Sequence, residues 1–475
     1  MNSKKMQIKA SYIIAYNGSH HVILRDGVIV LEGNKIIHVG KSYNENVDKT
    51  IDAHGKLVIP GFIDLHSHIT QSPLSRGVNE DLPRGAAPGP GTITKNRWIA
   101  DPHEVQTMAK SSLIEVLRSG VTTLVELGSP EWLGYKSAVD VIGQSGIRTY
   151  ISAGYPTTNF DRIHEDKELV FKQMDVAIEN LRKFDKSYDE RVRFILYPRT
   201  VDLCSPEIFK KTDEVADELH LPIETHASQS IEEYKYVKEK YGKTPIKYLH
   251  DVGVLASNLT LGHCIFVSSH SLIGDESNGS DLDLISKSGA TVAHCPWVFA
   301  KTGRVLESYP KYLKHSINVG IGTDIFPQDM LEEMKLASIL SKIVEGDSTV
   351  GTAADIFNSA TLSGARALGR NDLGRIAQGA KADLVIVNLK TIRMSPVRDP
   401  IKNLVFGASY KDIETVIIDG NQIVENGKVL GMDETNIATD LQKVGESFWA
   451  DIPRRDRKGR TVDEIAPLSF QEWKN

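Results

Sequence analysis

The hydrophobic rhythm of the chain changes twice. From residue 6 to 58, apolar residues come in short runs and alternations, as at 12–14, 27–30 and 35–39, with Asn17-Gly18 and Gly33-Asn34 between them. Alternation with a period of two predicts half-buried strands, and the Asn/Gly pairs predict turns. The same texture returns at 382–387 and 416–420. These two blocks predict one small composite β-sandwich domain built from both ends of the chain.

Between them the pattern becomes strand-then-helix. Helical stretches at 102–119, 167–184, 206–219 and 231–241 are separated by short apolar runs at 121–125, 148–151, 192–196, 222–225, 259–261, 290–293 and 318–321. The run at 58–65 brings the strands to eight. Eight such units over about 320 residues predict an α/β protein with a (β/α)8 TIM barrel and insertions, its chemistry at the C-terminal strand ends. The expected order is sandwich (1–57), barrel (58–381), sandwich again (382–431) and a charged extension (432–475) with late aromatics Phe448, Trp449, Phe470 and Trp473. The simplest expectation for the extension is a solvated segment, with packing on a neighbouring subunit as the alternative. The Gly/Pro-rich stretch 84–91 follows the first barrel strand, where a lid over the site is expected.

Composition narrows the class. With 475 residues, 40% hydrophobic and 25% charged, the chain can bury a sizeable globular core. A formal charge of −6 gives no reason to expect nucleic acid or an anionic membrane as partner. No run approaches the roughly 18 apolar residues of a membrane span. Cys204, Cys264 and Cys295 are too few and too dispersed for a disulfide framework or a CxxC zinc site, so a cytoplasmic location is expected. Cys264 and Cys295, each one residue past a histidine, should face the helices as small core residues. Phosphate-loop and Gly-x-Ser-x-Gly patterns are absent from the sequence.

Five residues carry candidate chemistry. His66 and His68 end Pro60-Gly61-Phe62-Ile63-Asp64-Leu65-His66-Ser67-His68, and alternate strand residues share a face, so both imidazoles point the same way. His226, His263 and Asp324 end three later apolar runs. A lone His-x-His pair says little, but compatible ligands at three further strand ends predict a metal site at a barrel mouth.

With these motifs the sequence resembles the metal-dependent amidohydrolase superfamily, in particular its branch of triazine hydrolases, cytosine deaminases and related purine deaminases. The resemblance extends through Ala293-His294-Cys295-Pro296, Gly322-Thr323-Asp324 and the segment 374–383. It implies that His66, His68, His226 and Asp324 bind the metal and that His263 contacts the attacking water or the substrate. It also implies a homo-oligomer acting on a small molecule. Binuclear members bridge two ions with a carboxylated lysine at the end of the fourth strand. Here that strand end reads Leu196-Tyr197-Pro198-Arg199-Thr200, and arginine cannot form the bridge. One divalent ion is therefore expected. Three imidazoles and a carboxylate suit Zn²⁺ first, with Fe²⁺, Mn²⁺ or Co²⁺ also compatible.

Asp324 is the expected proton acceptor, and His263 the group that holds the water or a developing oxyanion. Deaminases of the resembled branch carry His-x-x-Glu, whereas this chain reads His226-Ala227-Ser228-Gln229. Glutamine does not ionise near neutral pH, so ring protonation is disfavoured. Attack on the carbonyl of an amide, urea, carbamate or thiocarbamate, as in molinate- and phenylurea-hydrolase-like members, fits better. Deamination or dechlorination of an N-heterocycle is the alternative, and an inactive scaffold the remote one. Substrate contacts are expected from Gln229, Arg199, His294, Trp297 and Gln71, with Trp98, Glu126, Tyr155 and Phe326 as further pocket candidates.

Overall fold

The structure, a computed structural model, describes residues 4–78, 80–82, 100–128, 135–156, 167–274 and 280–473. The expected lid at 84–91 and Trp98 lie outside the described residues. The first four strands are β1 (Lys5–Tyr16), β2 (His21–Glu32), β3 (Lys35–Gly40) and β4 (Lys49–Pro60). Next come β5 (Phe62–Ser67), β6 (Val121–Gly128), β7 (Arg148–Ala153) and β8 (Val192–Phe194), then β9 (Ile223–Ala227), β10 (Leu259–His263), β11 (Thr291–His294) and β12 (Asn318–Ile321). The last are β13 (Leu384–Asn388), β14 (Ile413–Ile418), β15 (Asn421–Glu425) and β16 (Lys428–Val429).

The two similar ends of the sequence meet in one eight-stranded sheet, ordered β16-β15-β14-β13-β4-β1-β2-β3. The middle strands form two four-stranded sheets, β5-β6-β7-β8 and β12-β11-β10-β9, each parallel throughout. Parallel bridges join them, Leu196 to Ile223 and Thr200 to His226 at one edge, Ser67 to Asp324 at the other. All eight residues of β6 and all six of β5 are buried, so these runs are continuous rather than alternating. Helices placed as expected include Lys167–Phe184, Pro206–Leu219 and Ile231–Tyr241, while Pro102–Arg118 stops one residue earlier than expected. This is an α/β fold, with the parallel strands leading toward one end of the sheets.

Two expectations about strands need correction. The run 58–65 is not one strand: Val58, Ile59 and Pro60 pair with Ile386, Val385 and Leu384 in the mixed sheet, and β5 begins only at Phe62. Gly61 sits at the break and allows a close approach to β6, since a Cβ there would lie 2.0 Å from the Thr122 hydroxyl oxygen. The fourth parallel strand is also shorter than 192–196, ending at Phe194 before the isolated bridges take over.

The end of the chain is not simply a solvated extension. Helix Glu434–Ala450 buries Val444 and Phe448, which share an apolar cluster with Val105 and Met108 of helix Pro102–Arg118. Trp449 Nε1 donates to the Leu74 carbonyl at 3.3 Å. Ile452 and Ile465 join the same cluster, whereas Phe470 and Trp473 are 87% and 89% exposed.

Candidate metal centre

His66, His68, His226, His263 and Asp324 converge where the parallel strands end. The donor atoms of His66, His226 and His263 lie within 4.8 Å of one another, as do those of His66, His68 and Asp324. Nε2 of His66, His68 and His263 stand 3.8, 3.5 and 3.7 Å from the Asp324 carboxylate oxygens. Geometry alone thus includes His263 among the possible donors.

Each flanking strand does part of the positioning. Nδ1 of His66 donates to Glu224 Oε1 at 2.6 Å, Nδ1 of His68 to the Leu127 carbonyl at 2.6 Å, and Nδ1 of His226 to the Arg199 carbonyl at 2.8 Å. With Nδ1 protonated, Nε2 carries the lone pair that faces the cluster. His66 Nε2 is buried without a hydrogen-bond partner among the described residues. Burial lowers the pKa of His66, pushes His68 down to about 3, with the nearby His66 adding to the effect, and takes His226 well below its usual value. Neutral imidazoles and an orphaned buried nitrogen beside a carboxylate form a donor set that fits a divalent metal.

The backbone at the site is held in an uncommon conformation. His263 has φ 73° and Asp324 φ 55°, in the left-handed region that non-glycine residues seldom occupy. Asp324 is fixed there by its N–H on the His66 carbonyl (2.7 Å) and by the His68 N–H on its own carbonyl (2.8 Å). Beneath it, Asp64 accepts the Thr323 N–H at 3.0 Å and the Thr323 hydroxyl at 2.6 Å. Gly322 permits this approach, since a Cβ there would meet His66 Cβ at 2.7 Å.

Glu224, Asp64 and Tyr197, whose hydroxyl lies 3.0 Å from His226 Nδ1, escaped the sequence reading. A usable signal existed for the first two: an ionisable residue inside a strand buried along its whole length needs a partner.

The substrate-contact candidates occupy varied settings. Arg199 holds His226 through its backbone carbonyl, and the Gln71 N–H donates to the His68 carbonyl at 3.0 Å. His294 is buried, which pushes its pKa down to about 4, and its ring stacks against Tyr309 at 6.3 Å. The backbone N–H groups of Gln229 and Trp297 donate to Glu233 and Glu333, each at 3.0 Å. Gln71, Arg199, Gln229 and Trp297 are half-buried. Two of the wider candidates serve packing. Glu126 braces the loop after β5 by accepting the Ile69 N–H (2.7 Å) and the Thr70 hydroxyl (2.7 Å). Tyr155 is fully buried, with its hydroxyl 3.2 Å from that of Thr212 on helix Pro206–Leu219. Cys264 and Cys295 are buried, as expected of core residues, and Cys204 is buried as well, with its Sγ 3.6 Å from the Tyr155 carbonyl oxygen.

A fold of paired parallel sheets ending in this histidine–aspartate cluster defines a class, and comparison with known proteins agrees. The amidohydrolase family pattern matches residues 57–423, and the chain belongs to that family. It is a hydrolase of carbon–nitrogen bonds other than peptide bonds. Among its relatives, the 5-methylthioadenosine/S-adenosylhomocysteine deaminase of Pyrococcus abyssi is 31% identical over 88% of this chain and 93% of its own length. An adenosine deaminase from Xanthomonas campestris, solved with bound zinc, superposes with a TM-score of 0.79 at 23% identity, covering 93% of this chain and 98% of its own. The atrazine chlorohydrolase of Arthrobacter aurescens, complexed with zinc, also gives 0.79, at 21% identity over 93% and 100% of the two chains.

Proposed function

We propose that the protein hydrolyses an amide, urea, carbamate or thiocarbamate of a small molecule, using one divalent metal held by His66, His68, His226 and Asp324. Zinc is the first choice, on the donor set and on the zinc carried by the structural neighbours. The bridges at both edges of the parallel sheets support a closed (β/α)8 barrel, and the shared eight-stranded sheet supports a composite sandwich domain. The absence of lysine from 196–200 supports a single ion.

When bound, the metal supplies Lewis acidity and an activated water. Asp324 takes the water's proton and delivers it to the departing nitrogen, while His263 donates to the oxygen on which charge develops. Gln229 carries the choice of substrate. It stands where the resembled deaminases place glutamate, and each nearby acid already accepts at least one hydrogen bond from the protein. Glu233 accepts from the Ser228 and Gln229 N–H groups, Glu224 from His66, Glu126 from Ile69 and Thr70, and Glu333 from Trp297. Carbonyl attack needs no ring protonation, so it proceeds without that missing acid. Gln229, Arg199, His294, Trp297 and Gln71 are proposed as the substrate contacts.

The curated relatives favour a second reading, deamination of a purine nucleoside. A panel of ureas, carbamates, triazines and methylthioadenosine, with amine, ammonia and chloride release measured separately, decides between them. Amine release with little ammonia from the ring substrates is expected, and Gln229→Glu should increase ring deamination. Efficient ammonia release from nucleosides by the wild type, unimproved by Gln229→Glu, refutes the carbonyl reading. We further propose a cytoplasmic homo-oligomer. The buried cysteines, none in a disulfide, suit a reducing compartment, and no described helix is long and apolar enough to cross a membrane.

A further inference from the structure

Lys301 follows the short helix Pro296–Ala300, one turn past Trp297, to whose carbonyl its N–H donates at 3.2 Å. Its ammonium lies 4.2 Å from the centroid of the Phe326 ring. Nζ is buried, and no hydrogen bond reaches it among the described residues. Two features tie this ammonium to the metal centre. Phe326 comes two residues after Asp324, and Phe299, two residues before Lys301, sets its ring 4.7 Å from that of His263. Burial lowers the Lys301 pKa, against the opposing pull of Glu80, Asp324 and Glu333. Glu80 is exposed, Glu333 accepts the Trp297 N–H through one oxygen, and none of the three carboxylates hydrogen-bonds the Lys301 ammonium.

Burying an ammonium without an acceptor is costly, and a ring face recovers only part of the loss. Such a donor beside a reaction centre is completed by an acceptor on the ligand. A single ammonium carries one positive charge and balances a singly charged carboxylate, whereas a phosphate group carries about −1.5 to −2 at neutral pH and would keep uncompensated charge in the site. We propose that Lys301 is a specificity-determining residue that binds a carboxylate of the substrate beside the metal centre. This rests on the hydrolytic reading of the site but not on which C–N bond is cut.

Two substrate pairs test it: N-carbamoyl-β-alanine with N-propylurea, and S-adenosylhomocysteine with 5′-methylthioadenosine. The first member of each pair carries a carboxylate and the second lacks it. With the zinc-loaded enzyme, Lys301→Met should raise KM for the carboxylate member of the reactive pair about tenfold or more, leave kcat nearly unchanged and spare the neutral member. Lys301→Arg should restore most of the loss. Equal losses on both members, or none on the carboxylate member, overturn the proposal. If the wild type turns over neither pair, calorimetric titration with N-carbamoyl-β-alanine and S-adenosylhomocysteine tests Lys301 independently of the reaction. Binding that disappears in Lys301→Met upholds the proposal. Binding that is equal in both proteins, or missing from the wild type, overturns it.

Discussion

His66 and Asp324 illustrate how much of the site is built by residues that would touch no substrate. His66 is oriented by Glu224 at 2.6 Å, and Asp324 is pinned to the backbone on both sides of Ser67. Glu224→Gln keeps a hydrogen-bonding group beside His66 Nδ1 but removes the charge that makes the ring a better donor. Zinc affinity, measured by competition with a chromophoric chelator, should fall about 10–100-fold. Asp324→Asn should abolish turnover with little change in the thermal unfolding midpoint, and wild-type rates in that variant refute its role as proton acceptor. Asp324 was legible in the sequence because it ends an apolar strand, as the histidines do. Glu224 was passed over because its importance lies in a neighbour 158 positions away.

At the scale of elements, pattern located the interior helices well, since each buries one face against a sheet and so keeps a helical period. It misjudged the end of the chain for the converse reason. Helix Glu434–Ala450 has only Val444, Gly445 and Phe448 buried among polar residues, so its sequence resembles a solvated segment. Its attachment depends on a matching apolar surface at Val105, Met108 and Leu74. Phe448→Ala should therefore destabilise the protein by about 3–5 kcal/mol, read as a lower denaturant midpoint, because it leaves a cavity in that cluster. An unchanged midpoint would mean that the helix adds nothing to global stability.

For the whole molecule, the contact between the parallel strands and the mixed sheet combines a shared apolar core with a buried ionic cluster. Arg148, at the start of β7, is 1% exposed and bonds Asp383 at 3.0 and 3.2 Å and Asp419 at 3.0 Å. Lys381 reaches the same Asp419 oxygen at 3.2 Å. Arg148→Met should cost about 3–5 kcal/mol, because it strands buried carboxylates without their main partner. Denaturant unfolding followed by intrinsic fluorescence checks it, and a loss below about 1 kcal/mol would reduce this cluster to the worth of a surface pair.

The sequence by itself determined the alternation of strands and helices, the union of the two ends, the five chemical residues and the family. Each is written in a local period or a short motif, which needs no knowledge of distant neighbours. Tertiary structure alone decided where β4 yields to β5, which acids brace the histidines, how the last helix docks and that the Lys301 ammonium lies buried over the Phe326 ring. These depend on side chains far apart in sequence meeting in a low-dielectric interior, where an unmatched charge or a missing partner costs far more than it does along an extended chain.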